Sequence, residues 1–168
     1  TDWRVGQTVS GNIMTGGNGY YMEWNDDKAS TNPGSATRWG STPTAPTSTV
    51  FTVGSNNAHN GSGDDFVAYC FHSVQGYSKI GSYTGNGNAD GPFVYTGFKP
   101  AFIMRKRTDS AGDWVIADSA RDPDNVSDEN LYANLSYVEY SGSETQFDIL
   151  SNGFKMRGTW ASTNADGA

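Results

Sequence analysis

The sequence predicts an all-β fold: a two-layer, jelly-roll-like β-sandwich built from two similar halves. Three observations lead there. Val, Thr, Tyr, Phe and Trp outnumber the good helix formers, which suits half-buried pleated strands. Apolar and polar residues alternate in short runs such as Phe66-Val67-Ala68-Tyr69-Cys70-Phe71. Clusters of Gly, Asn, Ser and Asp separate the runs, and these residues turn the chain at little cost. The 168 residues are 35% apolar, and 13% are aromatic. That suffices for one domain, or for two small halves sharing a core, because each aromatic buries a large area.

Taken in order, strands are expected near 3–9, around Trp3-Arg4-Val5, and near 19–24, around Tyr20-Tyr21-Met22. The stretch Asn25 to Pro46 is rich in Ser, Thr, Asn and Pro and reads as a long loop carrying Trp39. Strands near 48–53, 65–74, 79–84 and 93–96 follow, each ended by Gly, Asn or Pro. The glycines of Gly85-Asn86-Gly87 read as a turn. A phosphate cradle would need a Lys-Ser/Thr signature leading into a helix, and none follows. The last strands are expected near 100–107, 113–118, 130–136, 145–150 and 153–158, with a polar loop from Arg121 to Glu129. Alternation within these runs predicts a core of Trp3, Phe51, Val67, Tyr69, Phe71, Phe102, Met104, Trp114, Ile116, Phe147 and Ile149. Cys70, the sole cysteine, is expected there as a small hydrophobe.

The chain reads as though written twice. Asp2-Trp3-Arg4-Val5 resembles Asp113-Trp114-Val115-Ile116, and Tyr20 follows Trp3 at the spacing at which Leu131 follows Trp114. Phe51-Thr52-Val53-Gly54-Ser55-Asn56 resembles Phe147-Asp148-Ile149-Leu150-Ser151-Asn152, and Asn60-Gly61-Ser62-Gly63 resembles Asn164-Ala165-Asp166-Gly167. The expected organisation is a single sandwich domain over 1–168, with internal repeats 1–74 and 113–168 joined by 75–112. The first copy continues into the strand at Phe66. The second stops at Gly167-Ala168, so a C-terminal strand is expected to be missing.

The net charge of −7 argues against nucleic acid or an anionic membrane surface as partner. No signal peptide is recognisable at Thr1-Asp2-Trp3-Arg4, and the apolar runs are too short to cross a bilayer. No metal or cofactor is expected. His59 and His72 lack a second Cys or His pair, and neither Asp64-Asp65 nor Asp122, Asp124 and Asp128 fits a twelve-residue calcium loop. No catalytic residue is assigned. Ser, His and Asp occur without a nucleophile elbow, and Glu23, Glu139 and Glu144 form a glycosidase pair only by chance proximity in an acidic chain. Arg105-Lys106-Arg107 reads as a solvated basic run paired with nearby aspartates.

Phe66 to Val74, then Gly76-Tyr77-Ser78-Lys79 and Gly81-Ser82-Tyr83-Thr84-Gly85-Asn86-Gly87, resemble a repeat domain of virion proteins of tailed, often aquatic, bacteriophages. The likeness continues through Asp90-Gly91-Pro92-Phe93, Gly97-Phe98-Lys99-Pro100, Arg121-Asp122-Pro123 and Leu150-Ser151-Asn152-Gly153-Phe154-Lys155. The resemblance implies a structural and adhesive module of a tail or surface fibre, located on the virion. Association with other virion subunits, as a homotrimer or another homo-oligomer, is expected with it, and a host-surface glycan is the expected ligand. It transfers no catalytic residue. A free carbohydrate-binding module and a glycan depolymerase are the alternatives. For a sugar ligand, the candidate contact residues are Trp39, Tyr77 and Trp160, aromatics set in polar loops.

Overall fold

The structure is a computed structural model that describes residues 2–6, 20–31, 39 and 46–168. It contains two compact units, one of Thr1–Trp24 with Ser30–Phe71 and one of Asn25–Ala29 with His72–Ala168. Among the described residues regular structure is mostly antiparallel strand, as expected. α-Helix is confined to two four-residue turns.

In the first unit β1 (Arg4–Val5) pairs with β2 (Met22–Glu23), and α1 (Asn57–Asn60) is a single turn. Arg4 and Glu23 face each other across the ladder as an ion pair, and the Arg4 guanidinium lies 4.9 Å from the Tyr21 ring centre. Trp39 is buried, and its indole N–H donates to the Tyr20 carbonyl at 3.3 Å.

The second unit holds β3 (Phe93–Tyr95), β4 (Phe102–Arg105), β5 (Val115–Asp118), β6 (Glu129–Tyr132), β7 (Tyr140–Ser141), β8 (Phe147–Leu150), β9 (Gly153–Met156) and α2 (Ala161–Asn164). Two sheets form, ordered β3-β9-β8 and β4-β5-β6-β7. Ile103 and Ala117 of the four-stranded sheet share one core with Phe147, Ile149, Phe154 and Met156 of the three-stranded sheet. Two sheets meeting through their apolar faces make this unit a two-layer sandwich.

The expected core needs correcting in two places. Trp114, Phe147 and Ile149 are buried, but Phe102 and Met104 are exposed. In β4 the inward set is Ile103 and Arg105, which pair with Ala117 and Val115 of β5. Strand side chains alternate with period two, so choosing the wrong parity in Phe102-Ile103-Met104-Arg105 turns every residue over. Arg105 is therefore buried, not solvated. Arg107 does pair with an aspartate, Asp109, at 2.7 Å.

The second correction concerns Trp3, Phe51 and the run from Phe66 to Phe71. Trp3 is half exposed, and Val67, Tyr69 and Phe71 are 70%, 66% and 73% exposed. Cys70 is an exposed free thiol. The run forms no strand, and Asp65–Phe71 makes no backbone hydrogen bond to another described residue. Alternation had encoded a strand with an apolar face. It cannot encode whether a neighbouring strand is present to cover that face. Beyond it the chain turns tightly at Gly76 (φ +76°), with Val74 and Ser78 exchanging backbone hydrogen bonds at 2.9 Å.

The two strand pairs that begin at Trp3 and Trp114 share a register. The Trp3 carbonyl accepts from Trp24 N–H at 2.8 Å, and the Trp114 carbonyl accepts from Ala133 N–H at 2.9 Å. Met22 thus occupies the ladder position of Leu131, two residues from the alignment that sequence spacing suggests. Trp114 is buried where Trp3 is not. β5 has β4 on its other side, whereas β1 pairs only with β2 among the described residues.

Candidate functional site

The end of the four-stranded sheet carries a cleft of about 400 Å³ lined by Tyr132, Tyr137, Val138, Glu139, Tyr140, Glu144 and Trp160. Local structure explains the gathering. β6 delivers Tyr132, and the return strand β7 delivers Tyr140 through the pairs Glu129–Ser141 and Asn130–Tyr140. A 3-10 turn over Ser143–Thr145 then presents Glu144. The end of β9 runs against that turn. Arg157 and Gly158 N–H both donate to the Gln146 carbonyl at 2.8 Å, and Trp160 N–H donates to the Glu144 carbonyl at 3.0 Å. A Cβ on Gly158 would lie 1.8 Å from the Glu144 carbonyl oxygen, so only glycine permits this approach. Trp160 is thereby set edge-on to Tyr132, with ring centres 6.1 Å apart and planes at 83°. Tyr137 also meets Tyr132 edge-on, at 6.2 Å and 82°. These are favourable edge-to-face contacts.

Polar groups rim the cleft. The Tyr140 hydroxyl donates to the Glu144 carboxylate, which holds Glu144 below the usual carboxylate range and pushes the Tyr140 phenol up. Burial, then the nearby Asp113 and Glu144 charges, raise the Tyr132 phenol. Glu139 is ion-paired to Arg121, which also binds Asp118 at 2.7 Å. The cleft is thus aromatic on its walls, with carboxylate acceptors at its edge.

The hydrogen bond to Glu144 has a pH signature. A depressed folded-state pKa favours the fold above the unfolded pKa, and that contribution is lost as pH falls through the folded value. In Tyr140→Phe the Glu144 pKa is expected to rise toward the ordinary range. Carboxyl-carbon NMR titration of Glu144 in the two proteins measures it, and an unchanged midpoint would exclude Tyr140 as the cause.

Of the three candidate contact residues, the structure places only Trp160 in this cleft. Tyr77 stands at the tip of the Val74–Ser78 turn, 82% exposed. Trp39 is buried beside His59, with ring centres 5.0 Å apart. Tyr132, Tyr137, Val138 and Tyr140 were missed. Their signal was available in Tyr137-Val138-Glu139-Tyr140, an aromatic-acidic alternation just beyond the expected strand 130–136.

Other polar clusters are structural. The Asp122 carboxylate accepts from Asp128 N–H at 2.7 Å and Glu129 N–H at 3.3 Å, folding its own loop. Among the described residues no group of three His, Cys, Asp or Glu is placed to hold a metal ion. Nor is any helix among them long and apolar enough to cross a membrane.

The chain belongs to a family described as "Domain of unknown function (DUF7483)", whose model matches residues 2–168. No curated protein and no solved structure matches it.

Proposed function

We propose that this member of the family is a non-catalytic adhesion module whose cleft around Trp160 takes a sugar ring. The observation that carries the reading is the lining itself. Three tyrosines and a tryptophan surround a cleft of about 400 Å³ that opens to solvent beside two carboxylates. A pyranose presents an apolar C–H face suited to an aromatic wall, and hydroxyl donors suited to carboxylate acceptors. Display on a virion fibre, with host-surface glycan as the ligand, is the setting implied by the resemblance of residues 66–100.

Glu139 and Glu144 in one cleft favour a second reading, glycan hydrolysis. A glycosidase acid needs a raised pKa to hold its proton near neutrality. The bond from Tyr140 moves Glu144 the other way, which unsuits Glu144 as that acid and leaves it only the ionised role of such a pair.

The test is a glycan array of bacterial surface polysaccharides, followed by titration of each hit against the chain and its variants. Trp160→Ala is expected to weaken binding about tenfold, the equivalent of about 1.4 kcal/mol of lost stacking. Tyr77→Ala is expected to leave it unchanged. Binding indifferent to Trp160→Ala and Tyr137→Ala, or no hit on the array, would refute the cleft. Release of reducing ends from a hit would transfer the site to the hydrolytic reading.

A further inference from the structure

Two segments of the chain have the same backbone and different surroundings. α1 and α2 are each one helical turn. Their N-caps, Asn56 (φ −69°, ψ 127°) and Trp160 (φ −62°, ψ 127°), and their C-caps, Gly61 (φ −64°, ψ 136°) and Ala165 (φ −63°, ψ 146°), nearly coincide. Each is followed by a left-handed glycine, Gly63 at φ +85° and Gly167 at φ +75°. The hydrogen bonds match as well. Asn60 N–H donates to the Asn56 carbonyl at 3.0 Å as Asn164 does to Trp160 at 2.8 Å. Asp64 donates to Gly61, and Ala168 to Ala165, both at 3.3 Å. Gly54 and Gly158, just ahead of each turn, are both buried.

The segments differ where the second is covered. Thr163 and Asn164 are 6% and 1% exposed, while Asn60 is exposed and His59 half-buried. The cover is Tyr83–Asn88. The Tyr83 hydroxyl donates to the Thr163 carbonyl at 2.5 Å. Asn86 and Gly87 N–H donate to the Asn164 side-chain oxygen at 3.0 Å and its carbonyl at 2.9 Å, and the Asn164 amide donates to the Asn88 carbonyl at 2.9 Å. Gly85 pairs antiparallel with the chain end, donating to Ala168 at 2.8 Å and accepting from Gly167 at 3.0 Å. A Cβ on Gly85 would sit 2.2 Å from the Ala165 carbonyl oxygen, so the cover fits by backbone contact. Asn60 carries the same side chain as Asn164 and makes no hydrogen bond through it among the described residues.

We infer that Asn56–Asp64 is a docking surface for the Lys79–Asn88 segment of a second copy of this chain, taken in exchange from Asn164. The docked segment would meet Asn60 as Tyr83–Asn88 meets Asn164. Its residues ahead of Gly85 would run antiparallel beside Asp65–Phe71, giving that segment the backbone hydrogen bonds it lacks among the described residues and reducing the exposure of Val67, Tyr69 and Phe71. Such an exchange is a head-to-tail contact, able to extend into a chain of copies.

The decisive test titrates the isotope-labelled chain with a synthetic peptide spanning Lys79–Asp90, up to about 1 mM, the weak end of specific binding. The proposal expects saturable amide shifts over Ala58–Phe71 that disappear in Asn60→Ala, a change at an exposed side chain. No shift, shifts confined to Ala161–Ala168, or shifts that survive Asn60→Ala would each overturn it. A second arm frees the chain's own segment. Asn164→Ala is expected to self-associate in sedimentation at a concentration about tenfold below the wild type, a difference of about 1.4 kcal/mol. The double variant Asn60→Ala/Asn164→Ala should remain monomeric. A folded Asn164→Ala that stays monomeric, or a double variant that associates equally, also overturns the proposal. If Asn164→Ala does not fold, the peptide titration decides alone.

Discussion

Phe147→Ala is expected to lower the stability of the chain by about 4 kcal/mol, the largest effect of any single truncation considered. Phe147 is 1% exposed on β8 and lies in the cluster where the two sheets meet, with Ile103 and Ala117 on one side and Ile149, Phe154 and Met156 on the other. Its ring also takes the Arg105 guanidinium at 4.8 Å. Alanine would open a ring-sized cavity and strip that cation of its π face, and loss of packing and of the cation's partner act in the same direction. Urea denaturation followed by circular dichroism measures the loss as a fall in midpoint. A loss below about 1.5 kcal/mol would mean that the sheets close over the gap and that the core does not depend on this ring.

The second large effect concerns the buried charge itself. Arg105 is 4% exposed, and burial pulls its pKa below the ordinary guanidinium value. Its partners are the Asn130 side-chain oxygen at 2.8 Å, the Met156 sulfur at 3.5 Å and the Phe147 face. Asn130 is completely buried and is itself anchored by donating to the Asp128 carbonyl at 2.6 Å. Asn130→Ala removes the one oxygen acceptor that this buried cation has among the described residues and is expected to cost about 3 kcal/mol. Arg105→Met keeps the apolar volume and removes the charge along with its need for an acceptor. It also leaves the buried Asn130 side-chain oxygen without this donor, so it is expected to cost about 1–2 kcal/mol, less than Asn130→Ala. The comparison is diagnostic, because an unpaired buried cation costs more than an unpaired buried amide oxygen. A loss in Arg105→Met equal to or above that in Asn130→Ala would show that the cation itself stabilises the sandwich.

These two residues also mark how far the sequence could be read. Arg105 sits among charged neighbours in Arg105-Lys106-Arg107, and nothing local distinguishes the one that turns inward. Its burial follows from the pairing of Arg105 with Val115 and Ile103 with Ala117, a register set by a strand ten residues away. Phe147 was legible, because Phe147-Asp148-Ile149 alternates and its partner strand follows at once through Gly153. The cleft was half legible. Trp160 stood out as an aromatic in a polar loop, but Tyr132, Tyr137 and Tyr140 become one wall only when β6, β7 and the end of β9 converge.

By itself, the sequence determined the all-β class, most strand positions beyond Pro92 and the turn at Gly85-Asn86-Gly87. Alternation, β-branched content and glycine freedom are local properties, and a strand carries them wherever it lies. It also carried the likeness of Asn60-Gly61-Ser62-Gly63 to Asn164-Ala165-Asp166-Gly167, since one short backbone conformation constrains the residues that can adopt it. Only the tertiary structure decided which apolar faces are covered. Phe71 and Phe147 read alike in sequence, yet one is 73% exposed and the other 1%. Burial is a relation between a strand and its neighbours, and β8 has β9 beside it while Asp65–Phe71 has no backbone partner among the described residues.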